Sequence, residues 1–527
     1  VSLLSLVLFL PLAGAVALVV GGRLLRDDVA RVLALGFALA TFLVSLVVLG
    51  RFDPGVSGFQ LAERHTWVSD LGLQYLIGID GISIWLVVLT TFLFPVAILA
   101  SWPIRTDVRR YLGAMLALET AVLGSFLSLD LLLFFLFFEA MLVPMYLIIG
   151  GWGGERRAYA ALKFFLYTMA GSALLLVAMI FLYAKAGSIL GAGSFELRDL
   201  AQVAGALPVS TARWLFLAFF VAFAVKVPVF PLHTWLPDAH TEAPTAGSVL
   251  LAGVLLKVGT FGLIRFNIGL FPEASRHFAL AVQILAVIGI IYGAICALRQ
   301  TDIKRLVAYS SISHLGFVVL GIFAFTVQSV TGGVLQMVNH GLATGALFLL
   351  IGMVYERTHT RELGEMGGLS SVMPWLAGAF LFAVFASVGL PGLSSFVGEF
   401  LVIAGTFAVN HWLGSLAAVA VVLGAIYLLW SYQRMAQGPV REEHRHLPDL
   451  SAREVAVIAP VLALLLVFGV YPKLLTDRID PASEAVVSHV APQDQITDIG
   501  SVKFALPPVT EAETAPEAEG PHEEGDR

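Results

Sequence analysis

Four ionisable side chains stand in stretches too apolar to hold a charge without a purpose. Lys226 ends the run WLFLAFFVAFAVK, Glu139 sits in LFFLFFEAMLVP, Lys257 in LLAGVLLKVGTFG and Glu399 in SSFVGEF. If Arg213 and Trp214 mark the edge of a membrane, Lys226 lies about 18 Å in at 1.5 Å per residue, near the middle of a hydrocarbon core about 30 Å thick. A lysine at that depth costs roughly 2.5–3.5 kcal/mol even on lenient insertion scales, so such groups by default mark an ion or proton path. Amines and carboxylates at this depth carry and release protons, and two histidines are suited to pass them on. His314 in YSSISHLGF and His340 in QMVNHGLATGALF lie in apolar runs between the lysines and Glu399, and imidazole titrates near neutrality.

Three residues rank lower. His233 and His240, in HTWLPDAHTEAP, could bind a metal, line the path or cap the next helix, and metal binding is the weakest option because nothing nearby completes a ligand set. Glu119 is a further candidate for the path. Pro228 and Pro231 remove the helix donors for the carbonyls of Ala224 and Val227, which predicts unpaired acceptors and a local wet pocket beside Lys226. Gly253 and Gly259 would let another helix approach Lys257 closely.

The elements that must position these groups follow from composition. The chain has 527 residues, 58% hydrophobic and 13% charged, which excludes a soluble globular domain and places it among polytopic membrane proteins. The first apolar run, Ser2 to Val20, is expected to be the first membrane helix rather than a cleaved leader. Cys296 is the sole cysteine, too few for an iron–sulfur ligand set, so redox chemistry would belong to partner chains. A net charge of −6 gives no reason to expect nucleic acid.

Apolar runs bounded by charge, Gly or Pro predict an all-α fold of about fourteen transmembrane helices. The fifth span is placed at 131–150, the seventh at 213–237 and the twelfth at 374–408. The polar segment from Arg51 to Gly78 is expected to be an ordered loop outside the bilayer. Helices seven and twelve should be broken, at Val227–Pro231 and at Gly389–Ser395. These breaks, five spans apart, suggest two inverted five-helix repeats, spans 4–8 and 9–13. The organisation expected is therefore 1–110 (helices 1–3), 111–270 (first repeat), 271–436 (second repeat), 437–472 (helix 14) and 473–527, a polar acidic tail expected to be disordered from about Thr510. Loops after odd spans hold roughly 18 Lys and Arg against roughly 7 after even spans, which puts odd loops in the cytoplasm and both termini outside. Lys226 and Lys257 are then the only basic residues read as lying inside spans.

The run KVPVFPLHTWLPDAHTEAPTAGSVLLAGVLLKVGTFGLIRF, with LFFLFFEAMLVPMYLIIG before it and GLPGLSSFVGEF after it, resembles the antiporter-like subunits of respiratory complex I over about residues 1–472. PDAHTEAPTAGSVLLAG, and glutamate rather than lysine at position 399, resemble the M-type branch more than the L-type or N-type. The resemblance implies a proton-translocating membrane-arm subunit of NADH:quinone oxidoreductase, in a bacterial cytoplasmic membrane. Glu139 and Lys226 would be an interacting pair, Lys257 the central lysine, His314 and His340 connecting groups, and Glu399 the terminal group facing the outer side. It implies no cofactor in this chain: NADH, FMN, iron–sulfur clusters and quinone would sit in partner subunits. The expected partners are the L-type and N-type antiporter-like subunits, other membrane-arm subunits and membrane lipids. Subunits of multi-subunit Na+/H+ antiporters or of membrane-bound hydrogenases share much of the central motif and are the alternative.

Overall fold

The computed structural model describes residues 2–22 and 25–491. In lipid every backbone polar group needs an internal partner, and apolar runs accordingly fold as helices. Among the described residues thirteen helices are long and apolar enough to cross a membrane, and two shorter apolar helices, Pro374–Val388 and Ser394–Val409, occupy the twelfth stretch. The expectation of about fourteen spans counted that pair as one.

The core lies along three helices. Thr245–Ile268 and Val327–Thr358 are enclosed along their apolar length and Ile303–Phe323 almost so, whereas Asp27–Arg51 and Ala452–Val470 expose most of their surface. Small residues set the spacing of these central helices, since lipid supplies no hydrophobic drive for helices to associate. A side chain on Gly341 would place its Cβ 2.9 Å from the Gly253 carbonyl oxygen, and one on Gly332 would come 2.8 Å from the Gly398 oxygen.

Several helices are interrupted near the expected chemistry. The fifth span divides into Leu131–Ala140 and Leu142–Trp152 just after Glu139, where Pro144 withholds a donor from Ala140. The seventh regular helix, Val209–Lys226, ends on its lysine, short of the expected limit at 237, and the chain resumes as the short helix Trp235–Glu242. In the eighth, π turns at Leu251–Leu255 and Leu263–Ile268 bracket Leu256–Gly262, which carries Lys257. The twelfth breaks between Val388 and Ser394 with Gly389 and Gly392 at positive φ.

Two regions differ from the reading of the sequence. The segment after the second helix contains an antiparallel hairpin, Gln60–Val68 with Leu73–Ile79, so the fold is helical apart from this element. The β-branched and aromatic residues of HTWV and QYLIGI are compatible with strands, but hydropathy averaged over a membrane-length window hides short elements. The hairpin is tied down by Ser5 to Glu63 and by Arg64 to Glu196 at 2.7 Å. Just after it, a buried Asp80–Arg265 pair at 2.7 Å joins the chain to the Lys257 helix. The polar stretch beyond the last span starts with an amphipathic helix, Lys473–Val490, which buries Leu475, Ile479, Ala482, Val486 and Val490. It packs on Val327–Thr358, where Thr331 donates to Asp480 at 2.8 Å. The disorder expected from Thr510 falls outside the described residues.

Asp130 caps the Glu139 helix, accepting from the Leu133 N–H at 2.9 Å. Burial pushes its carboxyl up to about 6, with the Glu196 charge adding to the rise and backbone donors opposing it. Because the folded value lies above the ordinary Asp value of about 3.9, the folded state holds the extra proton. This contribution to stability is therefore full below about pH 4 and is lost as pH rises through about 6, by roughly 3 kcal/mol. Asp130→Asn keeps a capping acceptor without the charge, so thermal unfolding followed from pH 4 to 7 is expected to fall less steeply for the variant. Parallel curves for the two proteins would show that Asp130 ionises without cost.

Candidate functional site

Lys257, His340, His314 and Glu399 come from four different helices and meet in one buried row. The Lys257 Nζ lies 2.7 Å from His340 Nδ1 and also donates to the Ala252 carbonyl, in the π turn before it. The His340 and His314 rings stand 5.8 Å apart, centroid to centroid. His314 Nδ1 lies 2.8 Å from Glu399 Oε1, which also accepts from Gln336 Nε2 at 2.8 Å. A protonated Lys257 donating to Nδ1 fixes His340 as the neutral tautomer with hydrogen on Nε2, and a carboxylate at Glu399 fixes the hydrogen of His314 on Nδ1. All four side chains are buried.

The row depends on the helix breaks. Ser394 starts the second half of the divided helix, and Asn339, next to His340, donates to its carbonyl at 2.7 Å. Gly389 holds φ +81, a conformation that disfavours L side chains, and a Cβ there would sit 3.3 Å from Glu399 Oε2.

Lys226 and Glu139 lie close enough to feel each other's charge but are not in hydrogen-bond contact. They form no ion pair: Lys226 Nζ sits over the Phe138 ring, 4.7 Å from its centroid, and has no hydrogen-bond partner. Glu139 lies beside the Ser172 hydroxyl, with Oε1 buried and unpartnered. Lys226 is at the C-terminal end of its helix, where backbone carbonyls favour a cation. The Lys226 helix touches the Lys257 helix at Gly259, where a Cβ would come 3.0 Å from Lys226 Cβ.

Of the two carbonyls expected to lose their helix donors at the proline break, that of Ala224 finds another. The Ala224 carbonyl accepts from Val229 N at 2.9 Å, and the Val225 carbonyl from Trp235 Nε1 at 2.9 Å. The cavity at the break is only about 10 Å³ and is walled by residues such as Phe230, Leu315 and Val319.

The lower-ranked residues stand apart from the bonded row. His240 is stacked on Phe348 with both ring nitrogens unpartnered, close enough to Lys304 and Lys257 to feel both charges. His233 lies against Phe230 and Tyr292. Glu119 is buried with neither oxygen hydrogen-bonded. Among the described residues no group of three or more His, Cys, Asp or Glu is placed to hold a metal ion.

Four participants were not singled out from the sequence. Gln336 lies one helical turn before His340, a polar residue in an apolar run, and that signal was available. Tyr427 lies beside Ser310 and near Glu399. Lys304 opens its helix and was therefore counted as a loop residue, yet it is buried and donates to the Ala243 carbonyl. Arg265 was read as the edge of a span but is buried against Asp80.

Residues 128–424 match the family described as "NADH:quinone oxidoreductase/Mrp antiporter, TM". NADH-quinone oxidoreductase subunit M of Rhodobacter capsulatus is 48% identical over 513 residues, 96% of this chain and 99% of the relative. The chain belongs to the subunit M family of NADH-quinone oxidoreductases. Subunit M of Mycobacterium tuberculosis is 42% identical over 98% of this chain and 99% of its own. Respiratory complex I from Thermus thermophilus contains a chain that is 34% identical with a TM-score of 0.84, over 93% of this chain and all of that one. A chain of the Mrp complex from Dietzia, at 20% identity and a TM-score of 0.79 over 93% of this chain and 98% of its own, shares the fold. The subunit M family is part of an oxidoreductase, respiratory complex I, and its members are antiporter-like membrane proteins.

Gly389 and Gly392 separate backbone strain from contact with the row. Both hold positive φ, but a Cβ on Gly392 meets nothing within 4 Å. Gly389→Ala and Gly392→Ala are each expected to lower stability by about 1–2 kcal/mol, while only Gly389→Ala, pressing on Glu399, should slow quinone-dependent NADH oxidation by the assembled complex. Equal turnover in the two variants would show that Glu399 tolerates displacement.

Proposed function

We propose that this chain conducts protons across a bacterial cytoplasmic membrane as a membrane-arm subunit of NADH:quinone oxidoreductase. NADH oxidation and quinone reduction occur in partner subunits that hold NADH, FMN, the iron–sulfur clusters and quinone. L-type and N-type antiporter-like subunits are its neighbours in this reading, both chain termini face outward, and residues 111–270 and 271–436 act as inverted repeats. The observation that carries the proposal is the buried row Lys257–His340–His314–Glu399, in which each group can both take and give a proton.

The steps follow from charge. Lys226 has no bonded carboxylate, so its hold on a proton varies with the separation of Glu139. Movement of Glu139 away releases Lys226 to give up its proton toward Lys257. At an effective dielectric of about 20, two unit charges about 8 Å apart interact by roughly 2 kcal/mol. Moving a proton against about 150 mV takes roughly 3.5 kcal/mol. One displaced partner supplies about half of that and two coupled ones suffice. A proton on Lys257 passes to His340, across the ring gap to His314, and leaves by Glu399. His240, between Lys304 and Lys257, is the uptake group from the side of Ala243.

In vesicles reconstituted with the intact complex, Glu139→Ala and Lys226→Ala are each expected to abolish the share of proton translocation carried by this subunit, with assembly retained. Lys257→Met should do the same. Unchanged protons per NADH in all three assembled variants would refute conduction through these residues. Glu399→Lys is expected to retain partial pumping, because lysine also takes and releases a proton at that end of the row. Complete loss in an assembled complex would mean that the carboxylate itself is required.

A further inference from the structure

A groove of about 1010 Å³ opens on the membrane-facing surface between the helices Leu3–Gly21, Val108–Leu127, Leu142–Trp152 and Arg157–Leu190, away from the row of buried charges. Its deep walls are apolar, with Ala15, Ala117 and Val143 among them, and its mouth carries Arg110, Arg157 and Trp152. From Arg110 to Ala117 along one helix is about 10 Å at 1.5 Å per residue, so the groove runs from an interface well into the hydrocarbon. Val19 and Val20 on its rim are 69% and 77% exposed, a surface that only lipid or an apolar partner covers.

The charges at the mouth choose between those two. Arg110 has only a distant carboxylate contact, Asp107 at 4.0 Å, and its side chain is 81% exposed. Arg157 donates only to the Gly151 carbonyl, at 3.3 Å. Asp107 is the sole acid at the mouth, which leaves one net positive charge there. A hydrophobic helix laid in the groove would cover two guanidinium groups with only one carboxylate, Asp107, between them, an unfavourable burial. A phosphate with acyl chains below it pairs the guanidinium groups and fills the apolar trough. The aromatic Trp152, its Nε1 held by the Thr106 carbonyl at 2.8 Å, stands where such side chains mark a membrane interface. Basic pockets between membrane helices on the cytoplasmic side are suited to anionic headgroups.

We infer that this groove is a binding site for one anionic diacyl phospholipid, with its phosphate between Arg110 and Arg157 and its chains along Ala117 and Val143. The site is independent of proton conduction, so its failure leaves that proposal untouched.

The test uses the intact membrane complex containing this chain, delipidated in detergent and supplied with phosphatidylglycerol or with phosphatidylethanolamine of the same acyl chains. Native mass spectrometry of the wild-type complex is expected to retain one more phosphatidylglycerol than R110E/R157E, and its Tm should rise on adding phosphatidylglycerol but not phosphatidylethanolamine. Gly151, whose Cβ would meet nothing within 4 Å, provides a second variant. Gly151→Leu adds an apolar side chain to the lining of the groove and should reduce retention while both arginines remain. Equal phosphatidylglycerol retention in wild type and R110E/R157E would overturn the proposal, as would an equal gain from phosphatidylethanolamine. Loss of a neighbouring subunit from R110E/R157E would assign the groove to a protein helix instead.

Discussion

Everything at the centre of this protein depends on how one buried lysine finds its hydrogen-bond partners. Lys257 has a carbonyl from its own helix and an imidazole from the next. Both partners require close approach. The π turn at Leu251–Leu255 brings the Ala252 carbonyl into reach of a lysine on the same helix, and the Gly253–Gly341 contact lets the His340 helix come near enough for a 2.7 Å bond. Removing the imidazole would leave a charge with half its compensation in a low-dielectric core, where an unpaired ion is far more costly than an unmade neutral hydrogen bond.

The same constraint explains why regular structure fails at the chemistry. In an unbroken helix each carbonyl is already engaged by the N–H four residues on, and an apolar side chain offers no acceptor. The break after Glu139, the helix end at Lys226, the π turns around Lys257 and the glycine break before Glu399 place irregular backbone beside ionisable groups. Two of the freed carbonyls are re-paired: Val229 reaches Ala224 and Trp235 reaches Val225. The break ends a helix at Lys226 and aims its side chain.

What the sequence discloses here is the cost of an ionisable group in an apolar run. That signal is local, and it singled out Glu139, Lys226, Lys257, His314, His340 and Glu399 without any knowledge of how the helices assemble. Long apolar runs likewise fix helices, because lipid leaves the backbone no other partner. Distance between elements is another matter. That Lys226 rests on Phe138 rather than on Glu139, and that Gln336 reaches Glu399, depends on side-chain directions across helices far apart in sequence. Short elements were obscured for a related reason. A membrane-length hydropathy average blurs the short Gln60–Val68 hairpin strand and the amphipathic face of Lys473–Val490 alike. Lys304 and Arg265 were misread because depth was inferred from position within a run, whereas folding buries them against Ala243 and Asp80.

The gaps in the row matter as much as its bonds. A fully bonded wire from one face to the other would let the membrane potential drive protons backward whenever the redox reaction paused. Here the histidine rings stand 5.8 Å apart and Lys226 lacks a bonded carboxylate, so the bonded segments are separated by links that must be remade. Each remaking requires a side chain to change partners, and an energy of about 2 kcal/mol per unit charge at about 8 Å is large enough to decide when it does. In the proposed function, conduction and insulation are then two arrangements of the same few groups, and electrostatic coupling between neighbours selects which one holds.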